Sequence, residues 1–401
     1  MAHAIARRDA RLAIPCLDVA ARARDGEADG SGIGGGRVTR VTLEGLAKSF
    51  GADVAVHGLD LDVPEGSLCA LLGPSGCGKT TTLRMIAGLE RPSGGRVLFD
   101  GADVTAVPPR ERDVGMVFQR YALFPHMSVA ENVSFGPSVR GIPRGEARAR
   151  VDAMLDVVRL GELRHRFPAQ LSGGQMQRVA IARTLVNEPR ILLMDEPLAN
   201  LDTALRGEMR GFIRDLQRRL GITTILVTHD QTEAMELADR VAVMLDGHLA
   251  QWDAPERLYA APANLDVARF LGARNVLAGR IVGEDRVGLS LGTLAIAPGH
   301  GLAPGTPVHA VLREEAIDMV PGEGSEGSGG LAGRVAARTF HGSTASYEVE
   351  ATGGPAARVI VTEPARRSLD IGTPVRLQVP PERVHLIPGD GTPPHSEDTA
   401  P

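Results

Sequence analysis

The residues best equipped for chemistry fall in four short stretches: GPSGCGKT (73–80), the acid pair closing RILLMDE (190–196), Gln119 behind GMVF, and His229 in TTILVTHD (223–230). In the first, Gly73, Gly76 and Gly78 lack a Cβ, so backbone N–H groups can turn inward around phosphate oxygens. Pro74, Ser75 and Cys77 complete the loop, Lys79 supplies a point charge, and Thr81 follows Thr80 into the next segment. The Thr80 hydroxyl is a hard oxygen donor of the kind that ligates Mg2+. The spacing G-x-x-x-x-G-K-[ST], after an apolar run and ahead of TTLRMIAGL, is the context that a phosphate loop requires. The plain alternative is a strand-to-helix turn with a chance lysine.

In RILLMDE, the apolar run ILLM ends in two acids. A buried parallel strand here delivers Asp195 and Glu196 at its C-terminal tip, where ligands of open α/β sheets collect. Neighbouring strand residues face opposite ways, so the pair divides its work: Asp195 toward Mg2+, Glu196 toward an attacking water as general base. Acids capping a helix ahead of Pro197 are the competing reading. His229 ends a similar apolar strand, as a γ-phosphate contact, a partner of Glu196, or a structural histidine. Gln119 also ends a strand, where its amide could orient water or bind Mg2+, although Gln at a strand end is common.

A second glycine pair lies in LSGGQMQRVAIARTLVNEP (171–189). Apolar residues at Met176, Val179, Ala180, Leu185 and Val186 predict a helix starting near Gly173. Ser172 with Gln175 makes a capping box, and a well-started helix with glycines for tight packing accounts for both. Two glycines in a first turn cost helix propensity, yet they leave N–H groups open to an anion. Ser172, Gly173, Gly174 and Gln175 therefore form a candidate second phosphate site.

The elements that must hold these residues follow from the apolar pattern. From Val38 to about Leu245, runs such as SLCALLG, RVLFDG, DVGMVFQ and RVAVML alternate with helical segments, the rhythm of an α/β domain. From about Asn275 the chain turns to short strands and Gly/Pro turns. There GTPVHAVLREEAIDMVPG (305–322) and GTPVRLQVPPERVHLIPG (372–389) share their opening, an internal Glu and a closing Pro-Gly, which predicts a duplicated β unit suited to a barrel. The Gly/Ser-rich PGEGSEGSGG (321–330) joins the halves as a loop. Residues 1–37 read as a disordered Ala/Arg/Gly-rich leader, 38–272 as the nucleotide domain, 273–391 as the β domain and 392–401 as a disordered tail.

Composition excludes several classes. The 44 basic and 49 acidic residues leave a net charge of −5, and no basic stripe points to nucleic acid. No run approaches the roughly 18 apolar residues of a membrane span, and the first residues lack the apolar core of a signal peptide. The three cysteines, Cys16, Cys69 and Cys77, fit neither a disulfide framework nor a metal site, which favours a reducing compartment.

GPSGCGKT, Gln119, LSGGQ, MDEP (194–197), LANLD (198–202) and His229, in this order and spacing, resemble the ATP-binding cassette (ABC) ATPases over residues 39 to about 270. The β domain, over about 275–390, resembles the TOBE domain of bacterial importer ATPases for polyamines, ferric iron, phosphonates or sugars. The resemblance implies an α/β P-loop NTPase, with a mixed sheet core plus a helical subdomain, followed by a small all-β OB-like TOBE domain. It implies ATP as substrate and Mg2+ as cofactor, in a head-to-tail dimer where LSGGQ of one copy closes over ATP held by GPSGCGKT of the other. By the same likeness Phe50 stacks on adenine, though it could equally be core, and Asp202 makes a dimer contact. Ala199 stands where the family commonly has Ser, so no hydroxyl contact is expected there.

The implied function is the ATPase of a binding-protein-dependent importer, peripheral on the cytoplasmic face of the inner membrane. Separate permease subunits meet RYALFPHMSVAENVSFG (120–136), whose LFPHM suits a partner groove; a plain surface loop is the alternative. The linker FLGARNVLAGRI leans the solute toward polyamine, ferric iron or phosphonate rather than sugar. Two rivals come from other classes. A soluble cassette that remodels nucleic acid or ribosomes would bring a second cassette, a heptad run or a basic patch. A purely regulatory binding module would not need Glu196 and His229.

Overall fold

A computed structural model describes residues 38–322, 330–352, 358–366 and 368–389. The expected leader, most of the Gly/Ser joint, the expected tail and Cys16 lie outside these residues. The chain divides into two compact units between Pro255 and Glu256.

The first unit opens with β1 (Val41–Phe50), β2 (Asp53–Val63), β3 (Leu68–Leu72), α1 (Lys79–Ala87), β4 (Gly94–Phe99), β5 (Ala102–Asp103) and β6 (Val114–Val117). It continues through α2 (Val129–Val139), α3 (Arg144–Val157), α4 (Gly173–Leu185), β7 (Ile191–Asp195), α5 (Thr203–Leu220), β8 (Thr223–Thr228), α6 (Gln231–Leu237), β9 (Arg240–Leu245) and β10 (His248–Asp253). Every residue of β3, β7 and β8 is buried, as expected of strands covered on both faces. They form the centre of a six-stranded sheet in the order β10-β9-β3-β8-β7-β6, parallel except for the β9–β10 pair. A second, antiparallel sheet runs β2-β1-β4-β5. Leu43, Leu46 and Val97 of that sheet share one apolar core with Leu71, Leu193 and Ile225 of the first. The helical insertion between β6 and β7 packs α2 against α3 and α4.

Parallel pairing decides where function can sit. Leu72 is level with Thr228, Asp195 with Val227, and Val117 with Met194. Four strands thus end along one sheet edge, and the segments that leave them carry GPSGCGKT, Glu196, His229 and Gln119.

The second unit contains α7 (Pro255–Ala260), which starts at the division, α8 (Leu265–Phe270) and β11 (Asn275–Gly283), β12 (Arg286–Leu289), β13 (Gly292–Ala295), β14 (Pro307–Leu312) and β15 (Asp318–Pro321). It ends with β16 (Leu331–Phe340), β17 (Thr344–Ala351), β18 (Arg358–Pro364), β19 (Pro374–Gln378) and β20 (Val384–Pro388). Two antiparallel five-stranded sheets, β13-β12-β11-β14-β20 and β15-β19-β16-β17-β18, enclose a core that includes Leu312, Met319, Tyr347 and Leu377. Asn275 joins the sheets. Its buried amide donates to the Ile360 carbonyl and accepts from the Ile360 N–H, both at 2.7 Å.

The duplicated stretches each fold as strand, short 3-10 turn, strand, and they exchange partners: β14 pairs with β20, and β15 with β19. Registers repeat under the shift that carries Gly305 onto Gly372. Asp318 faces Gln378 as Val311 faces His385, and Pro321 faces Val375 as Val308 faces Pro388. A local twofold relation between the repeats produces such symmetry.

The division at 255/256 differs from the boundary expected at 272/273. Two interactions carry α7 and α8 into the β unit. Ala268 and Ala273 pack on Val311 and Ile387, and the Arg313 guanidinium donates to the carbonyls of Tyr259 and Leu271 while lying 3.8 Å from the Tyr259 ring centroid. No helix among the described residues is long and apolar enough to cross a membrane.

Candidate functional site

The loop after β3 is shaped by glycine. Gly76 and Gly78 have φ of +85° and +94°, in the left-handed region that side chains disfavour. A Cβ on Gly78 would lie 2.4 Å from the Ala55 carbonyl oxygen, and one on Gly73 2.2 Å from that of Met244. Gly78 also caps α1 without a side-chain acceptor, so the first-turn N–H groups face the loop's concave side unclaimed by a capping side chain. The Lys79 side chain is buried and folds back, its Nζ donating to the carbonyls of Gly73 and Pro74 at 2.7 Å each. Cys77 is a buried free thiol with its pKa raised by burial, whereas Pro74, Ser75 and Gly76 are exposed and Thr81 is half-buried in the first turn of α1.

Across the loop, Thr80 Oγ1 donates to Asp195 Oδ1 at 3.0 Å. Burial raises the Asp195 pKa above the usual carboxylate range, and the Thr80 hydrogen bond works against that rise. This hydroxyl and carboxylate are hard oxygen donors of the kind that fit Mg2+, and Gln119, the third residue expected to bind it, is hydrogen-bonded to the neighbouring Glu196. No group of three or more His, Cys, Asp or Glu among the described residues could hold a metal by itself.

Glu196 and Asp195 diverge for a reason the alternation of a strand did not supply. β7 stops at Asp195, and Glu196 turns off in the left-handed region with φ of +44°, its N–H donating to the Val227 carbonyl at 3.0 Å. Its carboxylate is gripped on both sides: Gln119 Nε2 donates to Oε2 at 2.9 Å, and His229 Nδ1 donates to Oε1 at 3.1 Å. An acid, an amide and an imidazole thus converge beside the phosphate loop, the arrangement a water-activating base needs. Asn200, not singled out from sequence, donates to the Gln119 carbonyl at 2.6 Å and anchors that residue's backbone. Its place inside LANLD was the available signal.

The second glycine pair begins α4. Ser172 Oγ accepts from the Gln175 N–H at 3.3 Å while Gln175 Oε1 accepts from the Ser172 N–H at 3.0 Å, completing the capping box. A Cβ on Gly173 would meet Leu201 Cδ2 at 3.0 Å, so packing also favours glycine there; Gly174 has only ordinary contacts. Asp202 caps α5, accepting from the Leu205 N–H at 2.9 Å. Within one copy these residues do not join the cluster around Glu196. Phe50 is not a core residue: it is half exposed, with the Lys48 ammonium 4.8 Å from its ring centroid.

A groove of about 370 Å3 is lined in part by Phe124, Phe135 and Gly136 from the stretch expected to meet a permease, together with Arg140, Arg183 and Asn187.

Comparison with known proteins fits this geometry. The family model described as "ABC transporter" matches residues 56–199, and the "TOBE domain" model matches 310–387. A Rhizobium etli protein named Fe(3+) ions import ATP-binding protein FbpC is 49% identical over 316 residues, covering 77% of this chain and 87% of the relative. A Rubrobacter xylanophilus protein named spermidine/putrescine import ATP-binding protein PotA is 46% identical over 326 residues, covering 80% of this chain and 85% of the relative. Among solved structures, cbiO1 from Clostridium perfringens, part of the ABC transporter complex cbiONQ, is 34% identical with a TM-score of 0.53. The match covers 56% of this chain and 92% of that one.

Proposed function

This chain belongs to the ABC transporter family as an importer-type ATP-binding subunit with a TOBE domain, and from that premise we propose that it powers uptake of ferric iron. It is an ATPase. The observation that carries the catalytic reading is the Glu196 carboxylate held between Gln119 and His229 at the edge where the phosphate loop opens.

In this reading Lys79 exchanges the carbonyls of Gly73 and Pro74 for phosphate oxygens, and the first-turn N–H groups of α1 take the remaining charge. Thr80 and Asp195, with Gln119, would hold Mg2+, which would supply positive charge against the phosphates. Glu196 accepts a proton as water attacks the γ-phosphorus, the new P–O bond forms and the bond to the ADP oxygen breaks. His229 and Gln119 fix the carboxylate's direction. Ser172, Gly173, Gly174, Gln175 and Asp202 act from a second copy, whose LSGGQ closes over the nucleotide, and Phe50 stacks on adenine. The groove beside Phe124 and Phe135 receives a permease helix, and the protein works as a peripheral subunit at the cytoplasmic face of the inner membrane.

Seven relatives that are 44–49% identical are named for Fe(3+) import, which supports iron as the solute. Polyamine is the second reading, favoured by the 46% identical spermidine/putrescine relative. Uptake separates them. Cells whose only copy carries Lys79→Ala should lose radiolabelled ferric iron uptake and keep spermidine uptake. The reverse pattern would make the polyamine reading the correct one.

A further inference from the structure

Arg183 lies in α4, the helix that LSGGQ starts, and reaches across to the segment that follows Gln119. Its Nη1 donates to the Ala122 carbonyl at 2.7 Å and its Nη2 to that of Tyr121 at 3.2 Å. The guanidinium also lies 5.5 Å from the Phe124 ring centroid, and no ion pair among the described residues includes it. A half-buried cation is thus spent on two backbone carbonyls. Its pKa is lowered by burial.

The carbonyls it grips belong to a strained turn. Ala122 has φ of +51°, a left-handed conformation that costs a residue with a Cβ free energy and persists only when its surroundings enforce it. At the other end of the same short segment, Asn200 Nδ2 holds the Gln119 carbonyl at 2.6 Å and Gln119 Nε2 holds Glu196 at 2.9 Å. Residues 119–122 therefore form a strap tied at one end to the acid and at the other to α4.

We propose that Arg183 is a positioning residue for hydrolysis: by clamping Tyr121 and Ala122 it holds the strap so that Gln119 keeps Glu196 aimed, which ties the acid to the helix that begins with Ser172. This rests on the reading of Glu196 as the base. The fork geometry matters, because one guanidinium spans two carbonyls through separate N–H groups, whereas a lysine ammonium is a point donor on a flexible stem.

The test is ATP hydrolysis by the full-length protein across an ATP titration, for Arg183→Lys, Ala122→Gly, the double variant and Glu196→Gln. Arg183→Lys should lower kcat about tenfold with KM within about twofold, the split expected when an interaction matters in the transition state rather than for nucleotide binding. Ala122→Gly alone sets the reference against which the double variant is read. In the double variant, glycine adopts the left-handed turn without the clamp and should recover at least about threefold of the lost kcat. A loss of packing at Arg183 would not be recovered by removing a methyl group elsewhere. Wild-type kcat for Arg183→Lys, a matching rise in KM, or no recovery in the double variant would overturn the clamp. Wild-type turnover by Glu196→Gln would instead overturn the reading of Glu196; a dead Glu196→Gln beside a fully active Arg183→Lys removes the clamp alone.

Discussion

Gly78→Ala and Gly76→Ala separate two costs that the phosphate loop combines. Both glycines sit at positive φ, +94° and +85°, so alanine at either position pays a conformational penalty of roughly 1–3 kcal/mol. They differ in surroundings: a Cβ at 76 has nothing within 4 Å, whereas one at 78 comes within 2.4 Å of the Ala55 carbonyl oxygen and 3.0 Å of Val56 Cγ2. Gly76→Ala should therefore show strain alone, lowering the melting temperature of the nucleotide-free protein by about 2–4 °C per kcal/mol in a unit of this size. Gly78→Ala must in addition displace either β2 or the start of α1, and its melting temperature should fall at least about twice as far. A shift of the α1 N-terminus also misaligns the N–H groups offered to phosphate, so ATP affinity should drop about tenfold or more, equivalent to about 1.4 kcal/mol. Thermal melts and a fluorescent-nucleotide titration read both effects. Equal melting temperatures for the two variants, or an ATP affinity for Gly78→Ala within twofold of wild type, would refute the reasoning.

Two further outcomes follow from buried polar groups. Burial raises the Asp195 pKa, so the folded state holds this proton more tightly than the unfolded chain; the associated stability is present in acid and is lost as pH rises through the folded pKa. Asp195→Asn should accordingly raise the melting temperature of the nucleotide-free protein at pH 8, with the gain fading toward the unfolded carboxyl pKa of about 3.9, while Mg2+-dependent hydrolysis disappears. Melts across that pH range check the sign. Asn275→Ala leaves the Ile360 N–H and carbonyl without their 2.7 Å partners and should destabilise the β unit by roughly 2–4 kcal/mol in urea unfolding, with ATP hydrolysis by the folded protein unchanged.

Much of the site is legible in the sequence because its parts depend on local spacing. GPSGCGKT, the acids after ILLM and the Ser172/Gln175 box each lie in one short run next to the element that holds them, and the parallel sheet then brings their ends to one edge. What depends on contacts between distant segments is not legible. The left-handed turn at Glu196 is set by its N–H bond to Val227, Gly173 is favoured by Leu201, and Arg183 finds its carbonyls on a segment 61 residues away. β2 has a weaker local signal than β3 or β8, because DVAVHGLDLDV alternates apolar with polar residues as an antiparallel strand open on one face does and lacks their continuous apolar run. The repeated GTPV stretches announce a duplication, yet which strand pairs with which emerges only from the registers. The boundary moved from 272/273 to 255/256 because short helices without a strong period of their own follow the surface they pack on, here Val311 and Ile387.

The central claim is that one chain supplies only half of each catalytic site. It is tested most directly by the molar mass of Glu196→Gln with ATP and Mg2+, measured by light scattering while phosphate release is followed. The account predicts twice the 42.3 kDa monomer mass with almost no phosphate released, and a return to the monomer mass when Ser172→Arg is added. A 42.3 kDa species that hydrolyses ATP at the wild-type rate would contradict it.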